Sequence, residues 1–260
     1  MSRVPDWLLP VLVGAIVLGA WEAAVRLGGV PPYILPAPSV IAVKLVTDWT
    51  VLGPSLLFTL ETTLLALISA ILGGGFLAIL FAQSRLIERS LFPYAVILQV
   101  TPIVAVAPLI IIWVDNMLAA LLICAWIVAF FPILSNTTLG LNSADRNLVA
   151  LFRIYGASRW QVLRFLRIPS AMPYFMAGLR ISGGLSLIGA VVAEFVAGAG
   201  GRESGLAYRI LEAGYRLDVP RMFAALFLIS AAGIAIYLAL SGVSYLTLRH
   251  WHESAARAEE

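Results

Sequence analysis

Few residues in this sequence are equipped for chemistry, and their spacing excludes more than it allows. The two histidines, His250 and His252, both lie beyond the last long apolar run. A serine hydrolase needs an imidazole within reach of its serine, and a zinc protease needs two histidines in H-E-x-x-H. Neither arrangement can be assembled. A P-loop needs its lysine in G-x-x-x-x-G-K-[ST] to hold nucleotide phosphates. The single lysine, Lys44, follows Ser-Val-Ile-Ala-Val instead. The glycine-rich run "GAGGRESG" at 198–205 has no lysine and reads as a flexible loop. The chain therefore binds no ATP or Mg of its own in that way, and any ATP-driven work would need the nucleotide to be bound by another protein. Cys124 is the only cysteine, so it forms no internal disulfide and reads as packing.

Three carboxylates, Glu22, Glu61 and Glu194, sit inside long apolar runs. A charge in lipid is costly, so such groups count as functional candidates or as groups neutralised by neighbouring helices. Glu22 has Arg26 four residues on, the favourable helical order for a pair. Glu194 is a candidate for an outer gate. Gln99 and Thr101 are polar near the middle of another apolar run and are expected to face a pathway rather than lipid. Asn136 either lines an inner exit or caps its helix.

The elements that must position these residues follow from composition. Hydrophobic residues make up 61% of the 260 positions, charged residues 12%, and mean hydropathy is +0.97. A soluble domain carries about 25% charged residues, so this is an integral membrane protein. Crossing hydrocarbon takes about 20 apolar residues in a helix. Six runs qualify: 7–27, 57–82, 91–114, 117–140, 172–198 and 222–248. The fold expected is all-α, with six transmembrane helices. An even number of spans puts both termini on one side, where eleven of the 17 cationic residues then fall. The basic excess marks that side as cytoplasmic. The sequence divides into an N-terminal span with a proline-rich connector and surface helix (1–56), a membrane core (57–250) and a cytoplasmic tail (251–260). The segment 84–90 reads as a tight inner turn, and Asp115–Asn116 as an outer one.

One segment of the core, 143–170, is basic yet keeps an apolar stripe. Ser143 is a candidate N-cap, and Leu148, Leu151, Phe152 and Tyr155 share a helical face. Gly156 suits the left-handed position that closes such a helix. Ser158 and Gln161 have capping-box spacing for a second helix, which Pro169 should stop near Ile168. Such a pair either lies on the membrane surface or projects as a knob for a partner's groove.

The run "YGASRWQVLRFLRIP" resembles the EAA-loop signature of type I ABC importer permeases, the binding-protein-dependent inner-membrane family. That signature has Glu-Ala-Ala, three residues, Gly, nine residues, then Ile-x-Leu-Pro. Here Gly156 precedes nine residues and then Leu166, Arg167, Ile168 and Pro169, while Ala150, Leu151 and Phe152 replace Glu-Ala-Ala. "PPYILPAPSVI", "QVTPIVAVAPLIIIW", "AFFPILSNTTLGL" and "GAVVAEFVAG" are similar to the nitrate, sulfonate and taurine branch, whose phrases are shared by permeases for pyrimidine precursors and riboflavin. The resemblance implies that 143–170 is a cytoplasmic coupling helix, with Tyr155, Gly156, Ala157, Ser158, Arg159, Leu166 and Pro169 serving ATPase coupling. It implies a homodimer in the bacterial inner membrane, a pair of ATPase subunits that bind ATP and Mg, and a periplasmic or lipid-anchored substrate-binding protein. The expected cargo is a small anion or an aromatic heterocycle. An ion-driven secondary transporter is the alternative, although no internal repeat is visible and the carboxylates fall toward one end of their spans.

Overall fold

The computed structural model describes residues 8–198 and 204–249. Both histidines, most of the glycine-rich run and the tail lie outside these. The chain divides into two compact units, residues 1–57 with 198–230 and residues 58–197 with 231–260.

In the first unit, α1 (Leu8–Leu27) buries only Val25, packs Trp21 partly against the core, and leaves most of its apolar surface uncovered. Water would not tolerate so large an apolar face, whereas lipid requires it. Helix α2 (Pro38–Thr47) opens on Pro38 at its first position, where a missing N–H costs nothing. It occupies the stretch after the proline-rich connector where a helix was expected. The unit also contains the start of α3 (Trp49–Gln83), α10 (Leu206–Tyr215) and the start of α11 (Val219–Leu248). Ile41, Leu52, Leu206, Ala224, Ala225 and Leu228 form its core. Among the described residues its charges are paired. Arg26 Nε donates to Glu22 Oε1 at 2.5 Å, and the Ser39 backbone N–H donates to Glu22 Oε2 at 3.0 Å. Lys44 meets Asp218 at 2.8 Å, Arg221 meets Asp48, and Arg209 Nη1 meets Glu212 at 2.9 Å.

The second unit holds the rest of α3 and α11 together with α4 (Arg85–Val100), α5 (Ile103–Trp113), α6 (Met117–Asn142), α7 (Arg146–Ile154), α8 (Arg159–Val162) and α9 (Ile168–Ala197). Its principal contact is α6 against α9. A Cβ at Gly178 would stand 2.7 Å from the Pro132 carbonyl oxygen, and one at Gly189 would stand 2.8 Å from the Ala125 Cα. Glycine at these two positions lets the backbones meet, as tight helix pairs in lipid require.

Among the described residues, five helices can cross a membrane, and the pair α4 and α5 makes a sixth span when counted as one. The third span departs from expectation. It is bent by 100° between α4 and α5. Thr101 and Pro102 are both extended, because a residue ahead of proline is driven out of the helical region. Pro93 and Pro108, by contrast, are accommodated inside helices.

Three local expectations are also corrected. Residues 85–90 are helical, since the Ser84 side chain caps α4 by accepting from the Ile87 N–H. Ser143 ends α6 rather than starting α7, and Asp145 is the cap, its Oδ1 accepting from the Asn147 N–H at 2.7 Å. Pro169 does not stop the second loop helix. A π-helical turn at Leu163–Arg167 widens the ladder, with the Ile168 N–H reaching Leu163 O, and α9 continues without a break. Pro169 therefore lies inside a continuous helix, immediately after the widened turn that accommodates it.

Candidate functional site

The loop between α6 and α9 is built to hold one shape. Helix α7 ends in two crossed hydrogen bonds: Gly156 N–H to Arg153 O at 3.0 Å, and Ala157 N–H to Phe152 O at 2.9 Å. This is the Schellman pattern, and it needs a left-handed residue at its centre. Gly156 supplies it, with φ +71°. Ser158 then restarts the helix through a reciprocal cap. Its backbone N–H donates to Gln161 Oε1 at 2.7 Å, and the Gln161 N–H donates to Ser158 Oγ at 3.3 Å. Both devices were legible as spacing.

The two halves of the loop differ in burial. Val162, Leu163 and Leu166 are buried, and Leu163 joins the core with Phe81 and Leu141. Arg167 Nη1 donates to Ala82 O at 2.7 Å, which ties the base of the loop to the end of α3. The other half projects. Ile154 and Tyr155 are 81% and 82% exposed, and Leu148, Leu151 and Trp160 are uncovered as well. Arg159 is exposed at the start of α8. A rigid base therefore presents an apolar, basic tip. At the Glu-Ala-Ala positions, Ala150 and Leu151 are exposed and Phe152 is half-buried.

The pathway candidates do not converge into one cluster. Gln99 is exposed on α4, two residues ahead of Thr101 at the bend. The Thr101 hydroxyl donates to Ile97 O at 2.7 Å, satisfying a carbonyl at the end of α4. Asn136 Nδ2 donates to Pro132 O at 2.9 Å, within α6 and beside the close approach at Gly178. Glu194 is the buried one, 3% exposed, and accepts from Thr59 Oγ1 at 2.8 and 3.1 Å. Glu61, two residues on from Thr59, is exposed.

Sequence reasoning missed Thr59 and Arg167. The signal for Thr59 was present in "TLETT", where Thr59, Thr62 and Thr63 place three hydroxyls in an apolar run, and all three are buried. Arg167 carried no such signal, because its bond to Ala82 spans 85 positions.

Residues 70–257 match the family described as binding-protein-dependent transport system inner membrane component. The chain belongs to this family. It is 37% identical over 254 residues to the riboflavin transport system permease protein of Chloroflexus aurantiacus, covering 95% of this chain and 90% of that protein. It is 32% identical over 253 residues to the formylaminopyrimidine transport permease protein of Halalkalibacterium halodurans, covering 95% and 98%. The taurine transport system permease protein of Escherichia coli matches at 27% identity over 248 residues, 92% of this chain and 87% of that one. A crystal structure of an amino acid ABC transporter with histidines superposes with a TM-score of 0.63 at 20% identity, over 80% of this chain and 97% of that chain, which supports the fold. The protein is a multi-pass ABC transporter permease, a transport subunit of an importer, and its family places it in the inner membrane of bacteria. The family also implies an ATPase and a substrate-binding protein as partners.

Proposed function

We propose that this permease works as a homodimer whose paired 143–170 loops dock in two ATPase subunits, which bind ATP and Mg and drive inward transport of a small solute. Both termini are then cytoplasmic, on the loop side. The carrying observation is the projecting tip: Ile154 and Tyr155 are almost fully uncovered on a helix capped at both ends and anchored through Arg167. Large apolar side chains held out on a rigid base fit a partner's groove far better than water. Aromatic and arginine side chains are the usual anchors of such contacts. Co-purification of the ATPase with the wild-type chain tests this, against a chain carrying Ile154→Glu and Tyr155→Glu. Equal recovery of the ATPase would sink the docking reading. Uptake that survives ATP depletion and collapses with the ion gradient would favour a secondary transporter instead.

For the cargo we infer an aromatic nitrogen heterocycle. Among the relatives named for a cargo, the riboflavin and formylaminopyrimidine permeases stand at 37% and 32% identity, against 29% and 27% for sulfonate and taurine permeases. ATP-driven uptake by the reconstituted complex, with riboflavin, a formylaminopyrimidine and taurine compared, decides the class. Uptake of taurine alone would overturn the inference.

A further inference from the structure

A cavity of about 940 Å³ opens beside the loop, and its charge is one-sided. Arg85, Arg89, Arg146, Arg153 and Arg167 line it, with Glu88 as the one carboxylate. Five guanidiniums against one carboxylate leave four formal positive charges around a single opening, in a chain whose whole net charge is +3. Among the described residues none of these six takes part in an ion pair. The charged pairs present there belong to Arg26, Lys44, Arg209, Arg216 and Arg221. An adjoining cavity of about 480 Å³ shares Arg85, Arg153 and Arg167 and adds Arg159. Helix dipoles do not account for the cluster. The N-termini of α4 and α7 and the C-termini of α3 and α6 all reach this cavity, so their fields largely offset and the side chains set the potential. Like charges gathered without counter-ions repel, which raises the free energy of the empty site and favours an anion within it.

The geometry points to a binding site for a phosphate-bearing anion, filled by the headgroup of an acidic phospholipid. Guanidinium forks match phosphate oxygens bidentately. The volume exceeds what a lone phosphate needs, and the walls are amphipathic: Phe81, Phe92 and Leu141 line it together with the arginines. The cavity lies where the membrane-crossing helices α3 and α6 end, the level at which basic pockets between spans take anionic headgroups. Arg146 and Arg153 belong to α7, so a bound headgroup would touch the projecting loop directly.

The full-length chain, purified in neutral detergent, is titrated with fluorescent phosphatidylglycerol and with phosphatidylcholine, alongside Arg85→Gln/Arg89→Gln and the control Arg164→Gln/Arg249→Gln. Both altered arginines lie on α4, outside the docking loop, and neither holds the fold as Arg167 does. Saturable phosphatidylglycerol binding is expected, weakened roughly 30-fold by the α4 pair at about five-fold for each arginine lost, and unchanged in the control. Glu88→Gln should tighten it. Equal binding of phosphatidylcholine, or equal losses in both double variants, would overturn the site. Displacement by millimolar pyrophosphate as effective as by phosphatidylglycerol itself would assign the cavity to a soluble phosphate and overturn the lipid. ATPase affinity is measured on the same variants. A loss there with lipid binding intact would mean that the arginines meet protein, while failure of ATPase docking in every sample would leave the lipid result standing on its own.

Discussion

Replacing Gly156 with valine isolates the contribution of loop shape to coupling. Nothing lies within 4 Å of the place a Cβ would take at Gly156, so added bulk meets no neighbour. The cost is conformational. The residue sits at φ +71°, where a left-handed L-residue is disfavoured by about 1–2 kcal/mol, with a β-branched side chain at the upper end. Both hydrogen bonds that close α7 depend on that angle. The loop can relieve the strain by abandoning the Schellman turn, which swings Ile154 and Tyr155 away from the axis set by α8. If docking requires the closed shape, 1–2 kcal/mol becomes a roughly five- to thirty-fold loss of ATPase affinity. The assay is equilibrium binding of purified ATPase to the permease in nanodiscs, with ATP-driven uptake measured alongside and thermal unfolding confirming that the helices persist. A series strengthens the inference. Asparagine tolerates the left-handed region, alanine less well, and valine least. Affinity should therefore fall in the order Gly, Asn, Ala, Val, even though asparagine is larger than alanine. If affinity follows side-chain size, or if Gly156→Val binds and transports as the parent does, the closed turn is not what the ATPase reads.

Three further perturbations test other contacts. Gly189→Ala places a methyl 2.8 Å from the Ala125 Cα and should destabilise the α6–α9 pair by about 1–3 kcal/mol, visible as a lowered melting temperature in detergent, whereas a methyl at the unencumbered Gly184 should not. Glu194→Ala should depress uptake while leaving ATPase affinity intact, and unchanged uptake would remove the gate. Stability of the first unit should fall at both extremes of pH. The hydrogen bond to Asp218 raises the Lys44 pKa against the opposing effect of burial, so its contribution is whole below the usual lysine value and is lost as pH rises through the raised one. Burial pushes the Asp48 pKa up, but Arg221 and then Lys44 outweigh it and hold it low, so its contribution is whole above the usual aspartate value and is lost as pH falls through the depressed one. Thermal unfolding of Lys44→Met across pH should flatten the alkaline limb, and an unaltered limb would refute the linkage.

What the sequence disclosed and what it withheld divide by range. The Gly156 turn and the Ser158–Gln161 cap are each closed within a few residues, so residue type and spacing determine them. The spans follow from composition alone. The bend at Thr101–Pro102 was also local, yet it was hidden, because three prolines occur within 16 positions and only Pro102 breaks the helix. Hydropathy does not distinguish an accommodated proline from a disruptive one. The π turn at Leu163–Arg167 escaped for a related reason. Pro169 signals a helix end, and only a widened ladder, supported by the burial of Leu163 and Leu166, allows the chain to run on. The Thr59–Glu194 bond and the arginine cavity depend on residues far apart in the chain, and no pattern along one segment encodes them.

That uninterrupted run bears on how the loop would act at a distance if it docks as proposed. Residues 159–197 form one helical rod through the π turn, and the α9 portion alone, 30 residues, is about 45 Å long. Had Pro169 ended the helix, a displacement of the loop would have been absorbed in a flexible joint. A rod transmits it. Its lower end is tied to α3 through Arg167 and Ala82, and its upper end is tied to α3 again through Glu194 and Thr59. Because both ties join the same two helices, force applied at the loop can shift α9 along α3 only by straining both at once, or tilt the two helices together. The close approaches at Gly178 and Gly189 add α6 to that body, since backbone contacts slide poorly. Rigid-body tilting is therefore the cheaper response. It follows that Arg167→Ala, which frees one tie, should depress uptake more than ATPase affinity in protein whose thermal unfolding shows the helices retained. Coupling that survives this change would show that the tie to α3 carries none of the force.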